Sequence, residues 1–374
     1  MSWDHLDESD VRVRPNPRGS RRRTKTRPAH EDAVLGFVTG VDSGRYAVLI
    51  AAGVGGKKTR ERVITAMRAR ELGRKSVVVG DHVALVGDTA GGPDALARIV
   101  RVEPRRSVLR RSADDTDTVE RVIVANADQL VVVSALADPE PRPRLIDRCL
   151  VAAYDAGLDP LLVLTKADLV PADAFLAAYA PLAVPYVVTR RDPSDPHEID
   201  GIEEVRAHLA GRVSVLIGHS GVGKSTLVNR LVPDAERAVG VVNAVTGRGR
   251  HTSTSTVALR LPAAEGSAEG WVIDTAGIRS FGLAHVEPAR IITFFPDLEP
   301  GTAECPRGCT HDEEDCALDA YVATGAAGPA GTSRLDSLRR LLRARLGSDD
   351  RTDDRTDDRT DERADQGSDE RPSD

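Results

Sequence analysis

The stretch GHSGVGKST, from Gly218 to Thr226, carries residue types and a spacing suited to binding the phosphates of a nucleotide. Its glycines let main-chain N–H groups turn inward around phosphate oxygens, and an apolar strand before it and a helix after it give the motif its proper context. Lys224 can reach the terminal phosphates, and Ser225 can give its hydroxyl to Mg²⁺. The residues predicted to bind nucleotide here, with Lys224 also catalytic, are Gly218, His219, Ser220, Gly221, Val222, Gly223, Lys224, Ser225 and Thr226.

Two later segments can complete a magnesium site. VIDTAG is an apolar strand that ends at Asp274, whose carboxylate can hold Mg²⁺, and the N–H of Gly277 is placed to sense a terminal phosphate. Before it, GRGRHTSTST is a polar, glycine-punctuated stretch suited to a mobile switch, with Thr252 or Thr254 as a magnesium ligand. Taken alone, the first segment would be an ordinary turn and the second a flexible surface loop.

The stretch TKAD, from Thr165 to Asp168, is suited to reading a guanine base. The Asp168 carboxylate can accept hydrogen bonds from the ring N–H and the exocyclic amine of guanine, a donor pair that adenine lacks. Lys166 can lie along the base with its aliphatic stem, and Thr165 and Ala167 complete the loop. A four-residue match is weak alone, but LLVL before it predicts a strand that delivers the loop to the carboxyl edge of a sheet, where ligands bind.

Three of the four cysteines crowd together with a histidine. CPRGCTHDEEDC places Cys305, Cys309, His311 and Cys316 within twelve residues, whereas Cys149 stands apart. A Cys3His set is a closed tetrahedral shell that leaves no position for water, so we predict one structural Zn²⁺. Reduced structural cysteines without metal are the alternative interpretation.

The pattern of apolar residues predicts the elements that carry these side chains. From Ala33 to Glu103, short strand-like stretches broken by turns predict a small closed barrel of about five strands, with the OB-fold as the expected type. From about Thr118 to about Leu298, apolar strands alternate with helical stretches, which predicts a parallel sheet covered by helices on both faces.

Charge is distributed unevenly along the chain. The net charge is -7, and the RTDD repeats from Asp349 to Asp374 carry all of it, whereas Val11 to His30 holds only basic charges. We expect both ends to be disordered. The basic arm, KKTRER (57–62) and RRSVLRR (105–111) are expected to face RNA phosphates. No apolar run is long enough to span a membrane and no signal peptide is recognisable, so we expect a cytoplasmic protein.

The order of the motifs resembles the RsgA (YjeQ) family of circularly permuted GTPases, in which the guanine loop precedes the phosphate loop. The barrel with VGDHV before them and the Cys/His cluster after them extend the resemblance from about Ala33 to Leu346. The resemblance implies a GTPase that binds GTP or GDP with Mg²⁺ and acts with the small ribosomal subunit and its rRNA late in subunit maturation. It implies hydrolysis that is slow alone and stimulated by the subunit, in a chain that we expect to be monomeric.

The resemblance also defines the fold class, which is α/β. It implies an N-terminal OB-fold β-barrel, a circularly permuted P-loop GTPase domain and a C-terminal zinc-binding module with helices. The predicted limits are 1–32 for the basic arm, 33–104 for the barrel, 105–117 for a basic linker, 118–298 for the GTPase domain, 299–347 for the zinc module and its C-terminal helix, and 348–374 for the acidic tail.

Three positions depart from the guanine-site and switch patterns of the family. Thr165 stands where asparagine is usual, so we expect a weaker tether between the guanine loop and the phosphate loop. Ala276 replaces a proline, which changes loop stiffness. The second guanine motif is reduced to VVTRRD near Thr189, and we assign it no residue.

The machinery for hydrolysis is incomplete in the sequence. Ile278 follows Gly277 where many GTPases have a glutamine that orients the attacking water, so slow intrinsic turnover is predicted. The family has a histidine in the switch loop, and the resemblance carries its proposed water-orienting role to His251. An ordinary solvent-exposed histidine is the alternative interpretation.

Two other functions compete with this one. The first is a zinc-stabilised RNA-binding assembly factor that uses GTP as a switch with negligible turnover. The second is a P-loop ATPase or kinase, against which Asp168 and the lack of a recognisable kinase lid both argue.

Overall fold

A computed structural model of the chain describes residues 30, 32–42, 44–54, 59–72, 76–92, 95–111, 121–192, 194–195, 198–235, 239, 256–263, 266, 268–275, 286 and 288–346. The chain forms two units, Met1–Ala33 and Val34–Asp374, and the description below concerns the second. The predicted basic arm lies almost wholly outside the described residues, and the predicted acidic tail lies outside them too. Within the described part, no helix is long and apolar enough to cross a membrane.

The first element of the second unit is a closed barrel. Its strands lie in the order β1-β2-β3-β5-β4, and β4 pairs again with β1. Val38, Val48, Ile64 and Ile99 point inward and are at most 2% exposed, because side chains alternate across each strand. The closed five-stranded barrel confirms the predicted OB-type barrel. Its strands are β1 (Val34–Asp42), β2 (Arg45–Ile50), β3 (Arg62–Arg68), β4 (His82–Gly87) and β5 (Leu96–Val102), with a 3-10 helix at Arg70–Leu72.

The stretch predicted as a basic linker takes part in the fold over its described residues. Strand β6 (Val108–Arg111) pairs antiparallel with β7 (Arg121–Ala125). The Arg105 guanidinium donates to both carboxylate oxygens of the buried Asp81, at 2.7 and 2.8 Å. Arg106 lies 3.0 Å from an Asp128 carboxylate oxygen. These two arginines are therefore engaged within the molecule and do not form the RNA-facing surface expected of them.

A second part of the sheet carries the nucleotide motifs. Its strands lie in the order β10-β9-β8-β13-β15-β14, and all neighbours are parallel except β14, which runs antiparallel to β15. A small hairpin, β11–β12, lies apart from this sheet. The strands are β8 (Gln129–Ala135), β9 (Asp159–Thr165), β10 (Tyr186–Val188), β11 (Arg190–Arg191), β12 (Ile199–Asp200), β13 (Val213–Ile217), β14 (Val257–Leu261) and β15 (Gly270–Asp274).

Helices cover both faces of this sheet. Along β8, Leu130 and Val132 belong to a core shared with α1 and α7, whereas Val131 and Val133 belong to a core shared with α3 and α4. This alternation confirms the predicted α/β layering. The helices are α1 (Pro143–Ala156), α2 (Asp173–Tyr179), α3 (Ile202–Leu209), α4 (Lys224–Leu231), α5 (Pro288–Ile292), α6 (Ala317–Ala323) and α7 (Gly331–Leu346), with 3-10 helices at Ala180–Leu182 and Glu299–Glu304.

The barrel and the nucleotide sheet are continuous through β1 and β14. Gly40 of β1 pairs with Val257, the first residue of β14. Beside this pair, the Phe37 and Trp271 rings lie 5.0 Å apart. The same Val257 pairs on its other side with Asp274 at the end of β15. One residue of β14 thus lies between the barrel and the predicted magnesium carboxylate.

Helix α7 docks against the nucleotide domain through a buried charge. Arg340 on α7 lies 2.9 Å from a carboxylate oxygen of Asp147 on α1, whose side chain is 1% exposed. The guanidinium also stacks over the Tyr179 ring, 4.8 Å from its centre. Burial raises the pKa of Asp147 to about 6, which Arg340 partly opposes. This pair fixes where α7 lies on α1, because an unpaired charge there would be costly.

Candidate nucleotide and metal sites

The phosphate loop leaves β13 and enters α4 by a path that requires glycine. A Cβ on Gly218 would lie 2.6 Å from the carbonyl oxygen of Val133, so only glycine allows this close approach to β8. Gly221 and Gly223 have φ of 81° and 89°, a left-handed conformation that side chains disfavour. Gly223 directly precedes α4, so the free N–H groups of the first turn face the loop and favour an anion there.

Other predicted residues of this loop occupy different environments. Val222 is buried and anchors the loop in the core, whereas Ser225 and Thr226 are exposed in the first turn of α4. The His219 ring faces the Ser220 carbonyl, with Nδ1 and that oxygen 2.9 Å apart. His219 therefore has a local structural partner.

Lys224 and Asp274 lie together at the mouth of the loop. The Lys224 ammonium forms an ion pair with the Asp274 carboxylate and lies 3.4 Å from the Thr275 carbonyl oxygen. Asp274 ends β15, in parallel register with Leu216 of β13, so the strand order itself places this carboxylate beside the phosphate loop. The Ser225 hydroxyl and the Asp274 carboxylate are oxygen ligands of the kind that Mg²⁺ prefers, so this donor set fits the ion.

Four predicted site residues, all from the two mobile-type segments, lie outside the described residues. They are the candidate water-orienting histidine, the two candidate magnesium threonines and the glycine of the DTAG stretch: His251, Thr252, Thr254 and Gly277.

The guanine-type loop follows β9 and reaches the phosphate loop. The Thr165 hydroxyl donates to the Val222 carbonyl at 2.6 Å, so threonine keeps the tether that was expected to weaken without asparagine. Lys166 has a φ of 60°, and its ammonium donates to the Asp138 carbonyl in the loop after β8. Asp168 is exposed at the edge of the sheet. Because β9 and β13 are parallel members of one sheet, both loops meet at the same edge despite their reversed order in the chain.

The segment near Thr189 lies directly beside this loop. The Ala167 N–H donates to the Thr189 carbonyl at 3.2 Å, and the Thr189 N–H donates to the Leu164 carbonyl at 2.7 Å. Two residues on, the Arg191 N–H donates to the Asp168 carboxylate at 3.1 Å. A second main-chain segment therefore borders the position where a base would meet Asp168.

The Cys/His cluster has the dimensions of a tetrahedral metal shell. Cys305 Sγ lies 3.6 Å from His311 Nδ1 and 3.9 Å from Cys316 Sγ. His311 Nδ1 lies 3.8 Å from Cys309 Sγ and 3.9 Å from Cys316 Sγ. A zinc ion bonded to sulfur at about 2.3 Å and to nitrogen at about 2.1 Å separates its ligands by about 3.6–3.8 Å. The four side chains therefore fit one zinc ion without rearrangement.

Protonation of these ligands links metal binding to pH. Burial raises the pKa of the Cys309 thiol to about 12 in the metal-free chain, and burial lowers the pKa of the His311 ring. A metal ion binds the thiolate, so its binding must displace the thiol proton.

Arginines of α7 hold the metal loop in place. Arg339 donates to the His311 carbonyl at 3.0 Å and pairs with Asp319 of α6 at 2.5 Å. Arg343 makes a two-pronged contact with Asp312, with oxygens at 2.6 and 2.8 Å. The hydrogen bonds from Arg343 keep the pKa of the Asp312 carboxyl below its usual value. The cluster and α7 therefore form one packed module.

The motif patterns missed three groups at the nucleotide site. Asp138 and Arg191 take part through main-chain atoms, which no residue type reveals. Thr275 lies within the DTAG stretch, and its buried hydroxyl donates to the Leu216 carbonyl at 2.7 Å. Its position directly after a magnesium-type aspartate was the one sequence feature that could have indicated it.

Comparisons with known proteins agree with this geometry. The family model described as RsgA GTPase matches residues 102–284. The small ribosomal subunit biogenesis GTPase RsgA of Chromohalobacter salexigens is 37% identical over 275 residues, covering 72% of this chain and 75% of that protein. The protein of the same name from Azotobacter vinelandii is 39% identical over 276 residues, covering 71% and 74%.

Solved structures show the same fold. YjeQ from Thermotoga maritima superimposes with a TM-score of 0.54 at 24% identity, covering 84% of this chain and 99% of that one. YloQ, a circularly permuted GTPase, gives a TM-score of 0.56 at 22% identity, covering 87% and 99%.

Proposed function

Because this chain belongs to the RsgA GTPase family, we propose that it hydrolyses GTP to GDP and phosphate on the small ribosomal subunit, late in the assembly of that subunit. The curated relatives carry small ribosomal subunit biogenesis in their names. The observation that carries the proposal is the 2.6 Å bond from Thr165 to the Val222 carbonyl, which unites a guanine-type loop and a phosphate loop in one site. The subunit supplies what the site lacks for fast turnover.

Guanine selectivity rests on Asp168 and its neighbours. The carboxylate accepts from the ring N–H and the exocyclic amine of guanine, and adenine cannot offer both donors. The Arg191 N–H, which here donates to Asp168, lies on the same side of the loop and is placed to donate to the guanine carbonyl oxygen. Lys166 supports the base while Asp138 fixes its ammonium.

Changing Asp168 to asparagine should reverse this selectivity. An amide presents a donor to guanine's amine, whereas xanthine has an oxygen acceptor in that place. We expect the affinity for GDP to fall about a hundredfold or more and the affinity for xanthosine diphosphate to rise. Asp173→Asn, at another exposed aspartate nearby, is the control and should change neither. Titration of fluorescent nucleotides measures both, and unchanged GDP preference in Asp168→Asn would remove Asp168 from the base site.

Hydrolysis uses the groups around the phosphate loop. Lys224, which pairs here with Asp274, exchanges that carboxylate for the terminal phosphate oxygens and stabilises the charge that develops on them. Ser225 and Asp274 would hold Mg²⁺, together with Thr252 or Thr254. When bound, Mg²⁺ neutralises charge on the phosphates. The Gly277 N–H is the proposed sensor of the terminal phosphate.

His251 is the proposed water-orienting residue, since Ile278 cannot serve after Gly277. Replacing His251 with alanine should lower subunit-stimulated hydrolysis about a hundredfold while leaving GDP affinity unchanged, because general-base or orienting groups contribute about 10²–10⁴-fold. Single-turnover assays with purified small subunits measure this. An unchanged stimulated rate would leave the role with another group.

A row of side chains across the barrel is the proposed RNA-facing surface. Arg45 of β2 pairs in register with Met67 of β3, which pairs with Arg98 of β5. All three are exposed, Met67 to 43%. Two guanidinium groups flanking an apolar side chain suit the phosphate backbone of rRNA and need no base-specific contact.

Reversing both charges, in Arg45→Glu with Arg98→Glu, should weaken subunit binding about tenfold and reduce its salt dependence by about two released ions. Arg230→Glu on α4 is a matched charge reversal away from the barrel and should bind like wild type. Co-sedimentation at several salt concentrations measures both. Equal binding by the double variant would exclude this row from the interface.

The remaining features of the proposal concern the module and the state of the chain. We assign one structural zinc ion to Cys305, Cys309, His311 and Cys316, since their closed shell leaves no position for a substrate. The domain limits stay as predicted, with the described part of 105–117 counted as structured. The chain is proposed to work as a monomer in the cytoplasm, where small subunits are assembled.

A further inference from the structure

Two buried threonine hydroxyls hold the phosphate loop at its two ends. Thr275, 2% exposed, donates to the carbonyl of Leu216 at 2.7 Å, just before the loop begins. Thr165, 7% exposed, donates to the carbonyl of Val222 at 2.6 Å, just before the loop ends. Both carbonyls belong to main chain that the nucleotide's phosphates would follow, so both hydroxyls act on the shape of the loop.

Thr275 reaches the loop from the magnesium side. It follows Asp274, whose strand partner is Leu216, so its hydroxyl adds one more link beyond the last pair of β15 and β13. Its own carbonyl lies 3.4 Å from the Lys224 ammonium. A single residue thus fixes the strand end that carries Asp274 and also contacts the lysine that pairs with it.

Thr165 reaches the loop from the guanine side. It ends β9, which is separated from β13 by β8, so its hydroxyl spans one strand to reach Val222. Next to Val222, a Cβ on Gly223 would lie 3.8 Å from the Thr165 oxygen, so this end of the loop runs closely past the threonine. Thr165 lies far from the Asp274 strand, on the opposite side of the loop.

We propose that the two threonines divide the positioning of the nucleotide: Thr275 sets the Asp274 carboxylate for Mg²⁺, and Thr165 sets the guanine loop against the phosphate loop. Both are positioning residues, because each acts through a main-chain carbonyl and neither needs to touch the nucleotide. The proposal rests on the guanine nucleotide site of the proposed function and adds a role for Thr275 that its motif does not assign.

Valine substitutions separate the two roles, since valine has the shape of threonine but cannot donate and leaves the buried carbonyl unpaired. The probe is a fluorescent GDP analogue, titrated with excess Mg²⁺ and again with EDTA. For Thr275→Val we expect the half-saturating Mg²⁺ concentration to rise about tenfold and the EDTA affinity to stay within about twofold of wild type. For Thr165→Val we expect GDP affinity to fall about tenfold in both conditions, with unchanged Mg²⁺ dependence. Thr275→Ser keeps the hydroxyl and should behave like wild type.

Each outcome has a distinct meaning. Equal losses with and without Mg²⁺ in Thr275→Val would show that Thr275 only stabilises the fold, and a magnesium-specific loss in Thr165→Val would overturn the division. Thr275→Ala also lacks the hydroxyl and must show the same magnesium-specific loss if the valine variant does not fold. Failure of wild type to bind GDP would instead refute the proposed function, and the wild-type titration reveals that first.

Discussion

Changing Cys316 to serine is expected to abolish zinc binding and to release the C-terminal module. Cys316 is buried and contributes one of four ligand atoms spaced for a tetrahedral shell. Loss of an outer partner of a metal ligand already costs about 10–100-fold in affinity, so loss of a ligand itself should cost more. We expect zinc content to fall from about one ion per chain to less than about a tenth. Metal analysis of protein purified without chelators measures this.

The loss should extend to α7, because Arg339 and Arg343 hold the metal loop onto that helix. Limited proteolysis should therefore cut Cys316→Ser between α6 and α7 under conditions in which wild type resists. Cys149→Ala is the control, since Cys149 is buried in the core away from the cluster. It should keep a full zinc content even if its melting temperature falls. Full zinc occupancy in Cys316→Ser would refute the assigned shell.

Changing Lys224 to alanine is expected to lower subunit-stimulated GTP hydrolysis about 10²–10³-fold, the usual cost of removing one group that stabilises transition-state charge. Lys224 is the ammonium at the mouth of the phosphate loop, and it already pairs there with Asp274. The variant also leaves Asp274 without its counter-ion, so weaker GDP binding should accompany the slower rate. Single-turnover hydrolysis at saturating GTP separates the two effects.

Arg230→Ala removes a positive charge from the same helix, away from the loop, and should hydrolyse GTP at the wild-type rate. Stimulated hydrolysis that survives in Lys224→Ala would mean that a contaminating GTPase supplies the activity.

Local patterns predicted the chemistry of the site well. Gly218 to Ser225 could be predicted because strand, loop and helix are contiguous, so the geometry of that loop depends on neighbouring residues alone. The metal ligands lie within twelve residues, and a short spacing limits where their side chains can meet. The barrel followed from alternation of apolar residues over short strands, which the closed order of β1 to β5 confirms.

Contacts between distant residues could not be predicted in this way. The pairing of Gly40 with Val257 joins two strands that are far apart in the chain, and no periodicity in either strand specifies its partner. Arg105 was read as a solvent-facing charge because its partner, Asp81, lies in a turn of the barrel. The Thr165 tether shows the same limit, because the effect of replacing asparagine depends on a carbonyl 57 residues away.

The most direct test of the proposed function is the rate of GTP hydrolysis by the wild-type chain alone, with purified small ribosomal subunits, and with large subunits. We predict slow hydrolysis alone, an increase of at least about tenfold with small subunits and no increase with large subunits, because the chain lacks the glutamine that orients water in many GTPases. A rate that small subunits leave unchanged would contradict the proposed function.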